Sequence, residues 1–481
     1  MSHRVPGPPP MPVIGALGNL VHFRNDAIGY SQKVFRNYGP LAALVDGPAR
    51  LLTPRGTGVV LATGPELNRQ VLTQHDRFHA YALSGRFFPE DAERPRLRPL
   101  KRMMTGLFHV NGDEHRRHRR LLMPAFHKAR LEAYRDDMVG LVTEMLDRWR
   151  PGQPCDLSAE MTRLTLRVAT KTLFGADVGE SGVQIAHWMQ DWLVTMFSLA
   201  TLLPWDLPGL PYRRWLDRSH QIDAAMSELV RRKRAQGEGG ADMLSMLLAA
   251  RDEDGSQLTD DEIIGHAGVI FAAGHETSAN ALTWTLLLIS QHPEIASNLL
   301  EELTAELHGD APTVEQLARL PLLEAVVKES LRILPPVPLH PRFITEPAEL
   351  GGYDLPAYTE IFLSIFNLHH DPALFPDPQS FLPARWASIK PSTFEYNPFS
   401  AGPRMCIGAA FAMMEIKIAL AMILQRFRIA PVPRRPVNRR VAITMAPTPT
   451  FMATVHRQDG NWRASAGGIS GNVRELVSLP A

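Results

Sequence analysis

Phe399-Ser400-Ala401-Gly402-Pro403-Arg404-Met405-Cys406-Ile407-Gly408 is the stretch on which the reading of this chain turns. It carries Cys406, one of only two cysteines, and runs straight into 409–427, a long apolar segment with helical spacing. The cysteine is therefore predicted where a loop feeds a helix N-terminus. Unpaired backbone N–H groups and the positive end of the helix dipole favour a thiolate there. Gly402 and Gly408 let the backbone turn tightly and approach a flat ligand. A thiolate held in this way is a good axial ligand for haem iron, and its electron donation favours O–O cleavage. The competing reading is a buried, inert cysteine, the usual fate of a lone one.

A second stretch breaks local rules. Residues 258–292 keep an apolar helical pattern for some thirty residues, opened by Thr259 with Glu262 three residues on, a capping box. Its middle reads Ala273-Gly274-His275-Glu276-Thr277-Ser278. A glycine in a helix interior costs about 1 kcal/mol relative to alanine, and an unpaired buried carboxylate costs more. Violations of this kind mark functional sites. The Thr277 hydroxyl can break a ladder bond and open the helix to dioxygen and water, and Glu276 can join a proton relay to them. A kinked structural helix is the alternative.

The loop resembles the haem-ligand segment of the cytochrome P-450 superfamily, Phe-x-x-Gly-x-Arg-x-Cys-x-Gly, matched at Phe399, Gly402, Arg404, Cys406 and Gly408. With residue types near a twentieth of composition each, five fixed positions recur by chance in about one in ten thousand chains of this length. The helix centre is similar to the same family's Ala/Gly-Gly-x-Asp/Glu-Thr-Thr/Ser, complete at Ala273, Gly274, Glu276, Thr277 and Ser278. Glu329 and Arg332 resemble its Glu-x-x-Arg, with Arg385 as the later arginine that completes a structural network. His115 and Arg119 resemble the His-x-x-x-Arg of many bacterial members.

The resemblance implies a mainly α fold: one large helical domain with a small β-sheet subdomain and haem b between the central and cysteine helices. Cys406 is then the iron ligand, and Ala273, Gly274, Glu276 and Thr277 form the oxygen-side machinery. His115, Arg119, Arg342 and Arg404 meet the propionates. Val337, Pro338 and Leu339, with a turn at Thr450 and Phe451, line the substrate pocket. The expected reaction is monooxygenation of a hydrophobic small molecule with dioxygen and NAD(P)H-derived electrons. These would come from a separate ferredoxin/ferredoxin reductase or flavodoxin-type donor, because no flavin or iron–sulfur segment is visible. Arg116, Arg117 and Arg120 are candidates for its docking face, a steering argument. A peroxide-using haem-thiolate enzyme and a non-enzymatic haem sensor stay open as rivals; relatives of the first kind typically lack the acid–alcohol pair.

Composition sets the bounds. The chain has 481 residues, 45% of them hydrophobic, and 51 Lys+Arg against 50 Asp+Glu give a net charge of +1. Nothing in that balance calls for nucleic acid or an anionic membrane. Cys155 and Cys406 make no disulfide framework and fit a reducing compartment. No signal or membrane anchor is visible, so a cytoplasmic monomer is expected. The predicted organisation is a proline-rich leader over 1–20, one domain over 21–456 and a partly ordered Gly/Ser-rich tail over 457–481. Residues 81–107 read as a long loop and 201–211 as a lid or a packing loop.

Overall fold

The axis of the structure is a helix of 32 residues, Asp260–Gln291, about 48 Å long at the standard rise. Its start follows from the capping box: Glu262 N–H donates to Thr259 Oγ1 at 3.2 Å, and Thr259 N–H donates to Glu262 Oε2 at 2.7 Å. From Ser278 onward every residue of the helix is buried, as expected where apolar residues occupy all sides. Around it pack the helices Leu157–Phe174, Ala409–Arg426, Pro321–Ile333 and Arg98–Met103. The computed structural model describes residues 4–12, 15–48, 55–80, 95–175, 179–196, 205–237 and 240–480. The chain is 55% helical, a mainly α architecture with small sheets.

The largest sheet has five strands in the order Leu41–Asp46, Gly58–Ala62, Thr359–Ser364, Leu339–Ile344, Phe78–Ala80. All neighbours are antiparallel except the pair Gly58–Ala62 and Thr359–Ser364. The strand Leu339–Ile344 buries every second residue. That period puts His340 and Arg342 on one face, with Leu339 and Phe343 on the other.

Two sequence expectations change here, those for the tail and for the long loop. The tail is not an appendage: Trp462, Ile469, Val473, Leu476 and Val477 lie in the main core. Gly467 N–H donates to Gln291 Oε1, and Ser478 N–H donates to the Gln379 carbonyl. The leader is pinned to the sheet, its Pro6 carbonyl accepting from Ala43 N–H at 2.9 Å. The long loop is shorter than expected, because Arg98–Met103 is helical and buries Leu100 and Met103; residues 81–94 lie outside the described residues. So do residues 201–204, which leaves only the end of the expected lid, where Trp205 and Leu207 are exposed.

Among the described residues, no helix is long and apolar enough to cross a membrane.

Candidate active site

The cysteine loop folds as its glycines require. Gly402 has φ +69°, and a Cβ there would collide with the Leu72 carbonyl oxygen, so both conformation and space demand glycine. Gly408 has ordinary φ and caps the helix Ala409–Arg426; a Cβ on it would stand 4.0 Å from Cys406 Sγ. Cys406 N–H donates to the Phe399 carbonyl at 2.8 Å, closing the loop.

The Cys406 sulfur is accessible to solvent, yet burial pushes its thiol above the usual range. The Gly408 N–H and the charge of Arg119 act in the opposite direction and do not outweigh burial. The helix terminus alone therefore does not yield the thiolate that the sequence led us to expect. Desolvation wins, and a bound metal cation is what deprotonates such a thiol outright.

Arg119, Arg342, Arg404 and His115 cluster close enough to act on one another, and Arg119 also acts on Cys406. Burial lowers Arg342 to about 10, and burial with the charges of Arg342 and Arg119 lowers Arg404 to about 9. Burial and the charges of Arg404 and Arg119 hold His115 down at about 3. None of the four has a carboxylate partner among the described residues. Arg404 instead donates to the Val110 carbonyl and, at 2.6 Å, to Asn111 Oδ1, while its Nε has no partner. Arg342 donates to the Pro341 carbonyl at 2.7 Å. Three clustered cations without an acid, Arg342 buried and Arg119 and Arg404 partly so, form a receptor for an anionic ligand.

On the central helix, Thr277 Oγ1 donates to the Ala273 carbonyl at 2.7 Å. The backbone stays helical through this point, so the hydroxyl shares the carbonyl rather than breaking the ladder. The neighbouring His275 carbonyl accepts from buried Thr165 Oγ1 at 2.8 Å. His275 is itself buried, its Nδ1 2.9 Å from the Phe271 carbonyl. Glu276 Oε1 accepts from Thr444 Oγ1 at 2.6 Å.

A family model for Cytochrome P450 matches residues 5–453. The chain belongs to the cytochrome P450 family. Among curated relatives, cyclooctatin synthase of Streptomyces melanosporofaciens is 34% identical over 82% of this chain and 85% of its own length. Pentalenene oxygenase of Streptomyces avermitilis is 31% identical over 93% and 94%. The retinoic acid-bound cyanobacterial CYP120A1 structure superposes with a TM-score of 0.80 at 26% identity, covering 95% of this chain and all of that one. As a P450 this chain is a haem-thiolate monooxygenase with haem b as its cofactor. The carboxylate-free arginines fit the propionates of that group, and the exposed Cys406, close to Arg119, fits its iron.

The rest of this P450 departs from expectation in instructive places. Glu329 is fully buried and takes five hydrogen bonds: two from Arg332 (3.0 and 2.9 Å) and one each from Arg385 Nε (3.0 Å), Leu382 N–H (3.0 Å) and Trp386 Nε1 (3.1 Å). Leu382 and Trp386 were not anticipated. Arg332 also donates to the His369 and Pro378 carbonyls at 2.8 Å, tying this helix to the chain ahead of the cysteine loop.

Among the described residues, no hydrogen bond joins the turn at Thr450 and Phe451 to the central helix. Thr450 donates to Asp156, and Phe451 is core, because the next strand, Met452–Arg457, pairs with Pro154–Asp156. The hairpin Asn438–Val441 and Met445–Thr448 does reach it, through Thr444 and through the Met445 carbonyl, which accepts from Trp284 Nε1 at 2.9 Å. Met445 N–H donates to the Pro336 carbonyl at 2.8 Å, which sets this turn beside Val337 and Pro338. Leu339 packs instead against the N-terminal apolar cluster, on the strand face away from Arg342.

The supposed docking arginines are already engaged. Arg116 pairs with Asp113 and Asp76, Arg117 with Asp252 and Glu262, and Arg120 with Asp252. His79 and Asn111 were overlooked: Arg404 bears on the first and bonds the second.

Proposed function

We propose that this P450 hydroxylates or epoxidises a cyclic, terpenoid-type hydrocarbon skeleton, with electrons delivered by a separate ferredoxin-type donor. The observation that carries the reading is the Glu276–Thr277 pair lying within reach of the Thr444 turn, through the bond from Thr444 Oγ1 to Glu276 Oε1. The Streptomyces relatives include a pentalenene oxygenase and a cyclooctat-9-en-7-ol 5-monooxygenase, and the segments beside the turn are apolar, with Val337 and Pro338 on one side and exposed Ile443 on the other. Bound haem supplies the iron centre at which dioxygen is activated.

In this reading the chain itself does four things. Arg119, Arg342 and Arg404 neutralise two propionates that burial would otherwise disfavour. Cys406 Sγ donates charge while the Gly408 N–H moderates it. Thr277 Oγ1 already donates to the Ala273 carbonyl, so its lone pairs are free to accept a proton-bearing partner. Glu276, held by Thr444 Oγ1, keeps a second carboxylate oxygen to pass protons inward from solvent.

The test is direct. The reduced protein under carbon monoxide should show the red-shifted Soret band of thiolate ligation, and Cys406→Ser should abolish it. Cyclic terpenes should shift the ferric spin state where linear fatty acids do not. Turnover should require NAD(P)H, a reductase and a ferredoxin; turnover driven by peroxide alone would overturn the electron-donor part of the reading.

A further inference from the structure

The first turn of the central helix meets the helix Gly112–Leu122 at a cluster with no part in haem binding. Glu114 and His118 lie one turn apart on one helical face, and Glu262 comes from the central helix. One ligand atom from each lies within 4.8 Å of the other two. His118 is fully buried, with Nε2 2.9 Å from Glu262 Oε1 and Nδ1 without a partner. Against it, edge to face at 4.8 Å between centroids, lies His266, also fully buried, with neither ring nitrogen partnered. Buried polar atoms without partners are rare and call for an explanation.

We propose that Glu114, His118 and Glu262 bind a divalent first-row transition ion of the Zn2+ type. One imidazole nitrogen and two carboxylate oxygens suit such an ion, whereas Mg2+ and Ca2+ favour all-oxygen sets. Bonds of about 2.0–2.2 Å require the ligand atoms to close in from their present spread, and Glu114, which is exposed, is free to make that movement. Glu262 serves two ends at once. Its Oε2 stays in the helix cap while Oε1 faces His118. Metallation through His118 Nε2 leaves the unpartnered Nδ1 as the protonated nitrogen.

One group opposes the ion: Arg117 Nη1 lies 3.3 Å from Glu262 Oε1. That guanidinium also donates to the Gln257 carbonyl at 2.9 Å and lies 3.6 Å from Asp252, so it keeps partners when the ion takes Glu262. The bound ion staples the helix carrying His115 and Arg119 to the central helix.

The experiment uses the EDTA-treated holoenzyme, titrated with Zn2+ by calorimetry. One ion per chain should bind and raise the melting temperature, with the haem spectrum unchanged. Glu114→Gln removes an exposed ligand and should weaken binding about tenfold or more; His118→Gln should abolish it. No stoichiometric binding would overturn the proposal. So would equal affinity in the wild type and E114Q, which would place the ion elsewhere, for example at His75 and Asp76. E114Q decides the matter even if the His118 variant fails to fold.

Discussion

Glu415 offers the sharpest check on the interior of this protein. It lies on the helix that begins just after Cys406, fully buried, and neither carboxyl oxygen has a hydrogen-bond partner of normal geometry. Burial pushes its carboxyl up to about 8; the one influence in the other direction is the Ser278 hydroxyl on the central helix. An unfolded glutamate titrates near 4.5. Between those values the unfolded chain is ionised while the folded one holds a proton, so stability is full below pH 4.5 and falls as pH rises through 8. At about 1.4 kcal/mol per pH unit the whole gap is worth roughly 5 kcal/mol, of which about 3 to 4 falls between pH 5 and pH 8. Glu415→Gln keeps the shape and removes the titration. Urea unfolding of wild type and E415Q across that range should therefore show their difference in free energy growing toward alkaline pH, with the variant gaining relative to wild type. A difference that stays flat would refute a neutral buried acid at this position.

Other outcomes follow from the same geometry. Thr444→Val removes the hydroxyl that holds Glu276; product formed per NADPH consumed should drop several-fold while the carbon-monoxide spectrum stays intact. Glu329→Gln leaves Arg332 and Arg385 facing a weaker, uncharged acceptor in a dry site, a loss of up to about 3–5 kcal/mol, to be seen as poor haem incorporation and an earlier urea midpoint. Arg342→Leu should have opposite effects in the two states. The apoprotein gains stability by losing one of three clustered cations, and the holoprotein gives up haem faster to an acceptor such as apomyoglobin. Equal signs in apo and holo forms would contradict the anion-receptor reading of the arginines.

The parts legible in the sequence are those whose chemistry is written within a few residues. The cysteine loop, the capping box and the Glu329–Arg332 pair each sit inside one turn or one helix. What the sequence concealed lies in pairings across long stretches of chain. Thr444 reaches Glu276 from 168 positions away, and no local pattern marks a threonine in a hairpin turn as its partner. The tail misled by composition: its glycines and serines hid a set of core residues, Trp462, Ile469, Val473, Leu476 and Val477. The arginine run at 116–120 looked free because most of its acids, Asp76, Asp252 and Glu262, come from separate segments, Asp113 alone being local. At Cys406 the Gly408 N–H and Arg119 favour the thiolate, in the direction that the loop-to-helix junction suggests, while burial by distant segments, which no local pattern shows, acts against them.

The turn at 442–444 leads into Met445, which bonds at once to Trp284 on the central helix and to Pro336 ahead of the sheet strand, while Thr444 holds Glu276. A ligand that displaces this turn must therefore disturb the acid that sits next to Thr277. Substrate fit and proton supply are, on this geometry, mechanically linked through one hairpin. A poorly fitting substrate should then waste reducing equivalents even when it binds tightly, because affinity is set by apolar contact and coupling by where the hairpin comes to rest.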